Sequence, residues 1–169
     1  MSDTALPGSK SPAARNLFAA LQLDTRLLGM IGLRSNGAAS LGLMAQPYVG
    51  ERYSGDGQSA VYSGPIGLRQ LNTRDCAKLE DAVIMTTTPE LFTPAERPLY
   101  DEIEAQSKLA RYGTDCYGYC MVAAGMADLV IETGLNPYDI AALIPIVEGA
   151  GGTVTTWSGG SAVDGGRVI

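Results

Sequence analysis

The fold is decided by residues 132–152, which read ETGLNPYDIAALIPIVEGAGG and predict a helix with marked ends. Asn136 is a favourable N-cap residue, and Pro137 suits the first helical position, where its missing N–H is not needed. The apolar residues that form one stripe recur at three- and four-residue spacing: Ile140, Leu143, Ile144 and Val147. We expect Pro145 to kink this helix, and one of the glycines at 151–152 to end it.

Asp139 is the conspicuous charged residue beside this apolar stripe. It lies in the first turn, where the helix dipole favours negative charge, so a purely stabilising role is one interpretation. The alternative is a metal ligand, because a fixed carboxylate at the mouth of an α/β fold suits a hard cation such as Mg²⁺. The small side chains of Ala141 and Ala142 would let a neighbouring element approach the helix closely.

The run NPYDIAA at residues 136–142, with the ending EGAGG at 148–152, resembles the C-terminal signature of the inositol monophosphatase family. In that family a Trp-Asp-x-Ala-Ala run leads through a helix to an acidic-Ala-Gly-Gly ending. Tyr138 replaces the usual Trp, and the segment DCYGY lies upstream at residues 115–119. Both features are more similar to the histidinol-phosphatase branch. The resemblance covers residues 25–169 and implies a metal-dependent phosphomonoester phosphatase.

The resemblance also implies roles for three acidic residues. Asp139 matches the family's C-terminal metal-binding aspartate, and Glu132 matches an acidic position that contacts the alcohol part of the substrate. Asp115 falls in the segment that, in the histidinol-phosphatase branch, helps to bind the cationic amine or imidazole. From the residues alone, Asp115 is equally an N-cap, and Glu132 is equally an ordinary solvated carboxylate at a strand end. No catalytic residue is assigned.

The implied cofactor is Mg²⁺, and the implied substrate is a small phosphorylated alcohol. The family's other metal ligands come from a Glu-Glu pair and an Asp-Pro-x-Asp-Gly-Thr loop, and the sequence contains neither. One aspartate cannot hold two divalent ions, because Mg²⁺ needs several fixed anionic partners. We therefore expect residues 1–24 to be a tail or a replaced N-terminal segment. Residues 25–169 would form the C-terminal portion of the domain, weakly active or inactive alone.

Composition excludes several other classes of function. The 169 residues include no histidine, which excludes Ser-His-Asp catalysis and histidine-containing zinc sites. A net charge of −6 argues against nucleic acid and anionic membranes as partners. No apolar run approaches the roughly 20 residues of a membrane span. The three cysteines and the lack of a secretory pattern favour a reducing compartment, the cytoplasm. We interpret Cys116 and Cys120 as packing residues.

The order of turns and apolar segments predicts the fold class. Between residues 25 and 71, short β segments separated by turns such as Asn36-Gly37 predict an antiparallel meander. From Leu79 onwards strands and helices alternate, which is typical of an α/β fold, here with α+β character. Residues 83–87 and 127–132 are predicted strands, with Gly134 as a turn. The resemblance places these elements in a layered αβαβα phosphatase.

Two alternatives to a truncated phosphatase remain open at this point. The first is a non-catalytic module that keeps the fold and its acidic pocket and binds a small cationic ligand or a partner subunit. The second is a fragment that cannot fold alone, because unpaired sheet edges and an exposed apolar helix face promote aggregation. Dimerisation would cover such surfaces, and the resemblance implies a homodimer.

Overall fold

The computed structural model describes residues 28–169, and its N-terminal half is an antiparallel five-stranded sheet. The strands follow chain order: β1 Gly29–Ser35, β2 Ala38–Gln46, β3 Glu51–Gly55, β4 Ala60–Gly64 and β5 Gly67–Gln70. The first hairpin turns at Asn36 and Gly37, whose φ angles of 53° and 78° are those of a two-residue turn matched to the strand twist. The predicted meander is confirmed. The predicted tail at residues 1–24 lies outside the described residues.

The second half of the chain forms a short parallel sheet with connecting helices. Its strands are β6 Val83–Thr86, β7 Leu109–Tyr112 and β8 Leu129–Val130, in the order β7-β6-β8. The helices are α1 Arg97–Gln106, α2 Asp115–Ala123, α3 Pro137–Ile140 and α4 Leu143–Gly149. Strands β9 Glu132–Leu135 and β10 Gly166–Val168 form a separate antiparallel pair. Two 3₁₀ turns, Leu79–Asp81 and Pro89–Leu91, flank β6. No helix within residues 28–169 is long and apolar enough to cross a membrane.

These elements stack in layers, which confirms the predicted α/β fold class. Helix α4 packs on the meander and on α2, and α2 packs on β6 and β8. Strand β6 separates two apolar clusters: Met85 belongs to the larger one on the α2 and α4 side, and Ile84 to a smaller one beneath α1. Because successive strand residues face opposite sides, one short strand serves both cores.

Glycines bring the backbone of the meander against the start of α4. A Cβ atom built on Gly32 would lie 2.7 Å from the backbone nitrogen of Ala142, and one on Gly42 would overlap the carbonyl oxygen of that residue. Gly55 meets the carbonyl of Pro145 in the same way. The close approach expected at Ala141 and Ala142 is therefore observed, and it requires glycine on the facing strands.

The signature helix differs from its prediction in one respect. It is two helices, α3 and α4, separated at Ala141 and Ala142, so the predicted single helix with a kink at Pro145 is wrong. The cause is still Pro145, since its ring crowds the carbonyl four residues earlier, that of Ala141. Gly151, with a φ of 90°, ends α4, and its N–H donates to the carbonyl of Glu148 at 2.9 Å.

Two further local predictions are corrected by contacts from distant parts of the chain. Gly134 is not a turn but lies inside β9, with a φ of 71°, because that strand pairs with β10 some 30 residues later in sequence. The spacing of Leu99 and Ile103 predicts that both residues lie on the buried face of α1, but the fully buried residue is Tyr100, and Leu99 is 55% exposed. Tyr100 stacks on Phe92 at a centroid distance of 4.6 Å.

Candidate acidic site

Glu132 is a buried carboxylate at the start of β9, with 2% of its surface exposed. Its Oε1 accepts hydrogen bonds from the backbone N–H of Thr87 at 2.7 Å and from the Thr87 hydroxyl at 3.0 Å. Burial raises the pKa of Glu132, the Thr87 hydrogen bonds partly oppose that shift, and the charge of Asp115 adds to it. The solvated interpretation of this residue is wrong: Glu132 is held inside the fold.

Asp115 begins α2 and carries an unusual backbone conformation. Its φ is 44°, in the left-handed region that only Asp, Asn and Gly adopt with any ease. The N-cap residue is Thr114, and Asp115 is exposed in the first helical turn. A strained residue of this kind persists only where its surroundings fix it, and such residues concentrate at functional sites.

Asp139 lies in the first turn of α3 and is half-buried. Its Oδ2 accepts hydrogen bonds from the backbone N–H of Asn136 at 2.7 Å and from the Asn136 side-chain amide at 3.3 Å. This is the return half of a capping box, so the helix-stabilising interpretation of Asp139 is confirmed. Its predicted metal-binding role stays a prediction.

The three carboxylates, which we call the acidic site, each act electrostatically on side chains of α2. The pKa of Cys116 is raised to about 11, chiefly by burial and then by the charges of Asp115 and Asp139. The pKa of Tyr119 is raised by burial and then by the charges of Glu132 and Asp139. Each carboxylate therefore lies within electrostatic range of a side chain of α2 that a second carboxylate also influences.

Buried hydroxyls next to the acidic site lack partners. The side-chain oxygens of Thr86, Thr114 and Tyr119 are buried and accept or donate no hydrogen bond within residues 28–169. The Thr86 hydroxyl lies near enough to Glu132 to favour its charged form, yet outside hydrogen-bond geometry. Buried polar atoms are normally paired with protein or ordered water, so these three hydroxyls are available to a water molecule or to a polar ligand.

The acidic site does not fit a magnesium ion by itself. Across residues 28–169, no three or more Cys, Asp or Glu side chains are grouped so as to hold a metal ion. One oxygen of Glu132 is committed to Thr87, and one of Asp139 to the helix cap. A Mg²⁺ ion bound at Asp139 would need further anionic ligands from outside the described residues.

A fourth carboxylate, Glu51, belongs to no motif recognised in the sequence and is hydrogen-bonded to α2. Glu51 accepts hydrogen bonds from the phenolic hydroxyls of Tyr117 at 2.6 Å, Tyr62 at 3.0 Å and Tyr53 at 3.3 Å. Tyr53 and Tyr62 face each other across β3 and β4, and Tyr117 comes from α2. Only the sheet register and the packing of α2 reveal this cluster, because its members are up to 66 residues apart.

The decisive comparison is with sequence families. The profile described as "Inositol monophosphatase family" matches residues 30–169, nearly all of the described chain. The chain belongs to the inositol monophosphatase family. An inositol monophosphatase from Zymomonas mobilis has the same fold, with a TM-score of 0.77 and 35% sequence identity over 83% of this chain and 55% of that chain.

Curated relatives of this chain carry several different names. The bifunctional phosphatase IMPL2, chloroplastic, of Arabidopsis thaliana is 43% identical over 77% of this chain and 37% of its own length. A histidinol-phosphatase of Chlorobaculum parvum is 32% identical over 79% of this chain and 51% of its own length. An inositol-1-monophosphatase of Mesorhizobium japonicum is 30% identical over 82% of this chain and 53% of its own length. The chain thus spans about half the length of these relatives, or less.

Proposed function

We propose that this chain carries the alcohol-binding part of a phosphomonoester phosphatase site, and that the alcohol it accepts is cationic, as in histidinol phosphate. The observation that carries the proposal is Glu132, a buried carboxylate with the exposed Asp115 close enough to raise its pKa. Two neighbouring negative charges are unfavourable unless something positive lies between them. The histidinol-phosphatases among the relatives support this choice of substrate class.

The acidic site suits a small amino alcohol for a physical reason. An ammonium or imidazolium group between Asp115 and Glu132 would form charge-assisted hydrogen bonds with both, and these are stronger than neutral ones. A hydroxyl of the same ligand could use the unpartnered hydroxyl of Tyr119 or Thr86. A neutral polyol such as inositol would satisfy the hydrogen bonds but would leave the charge repulsion in place.

Hydrolysis is the further part of the proposal, and it requires more than these residues. The family resemblance implies Mg²⁺, and the acidic site alone cannot hold it. We therefore expect residues 28–169 to bind the alcohol without rapid turnover. Asp139 would contribute one metal ligand where additional anionic ligands are supplied. The alternative is a module that only binds a cationic ligand. Such a module would also bind the alcohol without rapid turnover, but Asp139 would not act in it as a metal ligand.

Calorimetric titration of the chain tests ligand binding. We expect L-histidinol to bind, and myo-inositol to bind at least about tenfold more weakly, because it lacks the positive charge. Asp115→Asn should weaken L-histidinol binding and leave myo-inositol unaffected. Asp139→Asn, which keeps a cap acceptor, should leave both unaffected in the absence of metal. Equal affinity for the two alcohols, or no binding of L-histidinol, would contradict the proposal.

Phosphate release from histidinol phosphate, with and without Mg²⁺, tests the hydrolytic part. For the chain alone we expect little release in either condition. Addition of a polypeptide carrying the family's Glu-Glu and Asp-Pro-x-Asp-Gly-Thr motifs should restore Mg²⁺-dependent release, and Asp139→Asn should abolish it. No release even after that addition would argue for the binding-only alternative, and release that survives Asp139→Asn would show that Asp139 is not a metal ligand.

We also propose a homodimer, which the apolar end of the meander supports. Tyr48 is 88% exposed and Ile66 is 68% exposed, and they lie in the β2–β3 and β4–β5 turns at the same end of the sheet. Exposed apolar groups of this size favour an interface. Light scattering should give twice the chain mass, and Tyr48→Ser with Ile66→Ser should give the monomer; a monomeric wild type would contradict the proposal.

A further inference from the structure

The Glu51 cluster joins the meander to the first turn of α2 through an asymmetric set of hydrogen bonds. Glu51 Oε2 accepts from Tyr117 at 2.6 Å and from Tyr53 at 3.3 Å, whereas Oε1 accepts from Tyr62 at 3.0 Å. The hydroxyls of Tyr53 and Tyr117 also lie 3.3 Å apart. Tyr117 is the one member that belongs to α2, so its bond to Glu51 ties that helix to the sheet.

The tyrosines remain neutral donors over the whole physiological range. Burial, the hydrogen bond to Glu51 and its charge raise the pKa of Tyr117 to about 12. The rings also pack edge to face: Tyr53 lies 5.2 Å from Tyr62 and 5.9 Å from Tyr117, between centroids. A charged acceptor held by neutral donors and by aromatic contacts is a firm anchor for the side chain of Tyr117.

Tyr117 lies two residues after Asp115, the residue in the left-handed conformation. A strained backbone returns to an ordinary conformation unless contacts on both sides prevent it. On the N-terminal side, the N–H of Gly113 donates to the carbonyl of Thr87 at 2.8 Å. On the C-terminal side, the anchor is the bond from Tyr117 to Glu51 at 2.6 Å. Asp115 therefore lies between two fixed points.

We propose that Glu51 and Tyr117 are positioning residues that hold Asp115 in its strained conformation and so set the affinity of the acidic site for the cationic end of its ligand. This inference rests on the proposed function. It assigns a role to Glu51, which does not itself belong to the acidic site. The hydrogen bond at 2.6 Å carries the inference, because it is the shortest of the cluster and the one that reaches α2.

The chain offers a matched control for this inference. Tyr117→Phe and Tyr62→Phe each remove one phenolic hydrogen bond to the same carboxylate, but only Tyr117 belongs to α2. We expect Tyr117→Phe to weaken L-histidinol binding about tenfold in calorimetry, the size of effect that follows loss of a hydrogen bond to a charged group. Tyr62→Phe should change the affinity by less than about twofold. Glu51→Ala, which removes the acceptor itself, should behave like Tyr117→Phe, and it replaces that variant if the latter does not fold.

A second measurement needs no ligand. Cys116 follows Asp115 directly, is half-buried, and has its thiol pKa raised to about 11, so its alkylation by iodoacetamide is slow while the helix start is held. Tyr117→Phe should speed the peptide-mapped alkylation of Cys116 relative to Cys76, which serves as the internal reference. Tyr62→Phe should leave that ratio unchanged.

The outcomes separate this inference from the proposed function. If wild type does not bind L-histidinol, the proposed function fails, and the Cys116 ratio alone decides whether Tyr117 holds the helix start. If Tyr117→Phe and Tyr62→Phe change affinity and alkylation equally, the cluster only cross-links the core, and the inference is overturned. It is overturned as well if neither variant changes either quantity.

Discussion

Two regions of the molecule differ in how their residues affect stability. One is the contact between the meander and α4, and the other is the acidic site. In the first, glycines let backbone meet backbone, and a Cβ atom at Gly42 would overlap the carbonyl of Ala142. In the acidic site, Glu132 is buried although burial disfavours its charged form and raises its pKa. Asp115 has a left-handed backbone, and buried hydroxyls lack hydrogen-bond partners within residues 28–169. The first region is optimised for packing. The second sacrifices stability, as a binding site does.

This difference explains why the two regions should respond in opposite ways to substitution. Where every atom is in contact, any addition forces backbone apart, so substitutions can only destabilise. Where charges are buried and the backbone is strained, removal of the cause can stabilise the fold while it impairs binding.

Gly42→Ala is expected to have the largest effect, because the added methyl group meets the backbone of Ala142, which cannot move without shifting α4. We expect the free energy of unfolding to fall by about 3 kcal/mol or more, at the upper end for overpacking. Urea denaturation followed by circular dichroism measures it. Gly50→Ala is the control: that glycine has a φ of 73° and open space around it, so only about 1 kcal/mol of backbone strain is expected. Equal losses in the two variants would show that the contact is not close-packed.

Glu132→Ala comes next in size, because it removes the acceptor of two hydrogen bonds. The N–H and hydroxyl of Thr87, 2.7 and 3.0 Å from Glu132, would be left without that acceptor. We expect a loss of about 2 kcal/mol in the same denaturation experiment, since unpaired buried groups forfeit their hydration. No loss would mean that Thr87 readily finds water, and that the site is more open than its burial indicates.

Much of the fold could be predicted from the sequence because its signals are local. Asn36-Gly37 specified a hairpin by its backbone preferences alone, and Asn136-Pro137 specified a helix start. The residues of the acidic site were predicted from the family resemblance: Asp139 lies in the signature at residues 136–152, and Glu132 and Asp115 match family segments before it. Signals that lie within a few residues of one another do not depend on how the rest of the chain folds.

What could not be predicted depends on distant contacts. Gly134 looked like a turn because β10, its strand's partner, lies far along the chain. The register that places Tyr53 opposite Tyr62, and the packing that brings Tyr117 to Tyr53, have no signature in a short window of sequence. The burial of Glu132 was likewise hidden, since a carboxylate at a strand end is usually solvated.

Glu132→Gln should raise the free energy of unfolding, whereas Glu132→Ala should lower it. Burial raises the pKa of Glu132 above its ordinary 4.5, so just above that pH the folded chain keeps a proton that the unfolded chain releases. The free energy of unfolding therefore falls as pH rises through that range. Glutamine still accepts from Thr87 and carries no charge, so we expect a gain of about 1 kcal/mol at neutral pH. Denaturation between about pH 4 and pH 8 should show that the variant loses less stability with rising pH than wild type. A parallel decline would mean that other groups cause the pH dependence.

Asp115→Gly should have the smallest effect on stability and is the finest test of the comparison. Glycine adopts the φ of 44° at residue 115 without steric cost, and the substitution removes the charge that raises the pKa of Glu132. Both effects stabilise the folded chain. The greater freedom of glycine in the unfolded chain opposes them. We expect the free energy of unfolding to stay within about 0.5 kcal/mol of wild type. Asp115→Val, which removes the same charge but resists a left-handed backbone, should lose about 1–2 kcal/mol. The difference between the two variants isolates the strain, because the charge is absent from both. Equal stabilities would mean that the start of α2 relaxes freely, and the acidic site would then lack the strained element that distinguishes it from the contact between α4 and the meander.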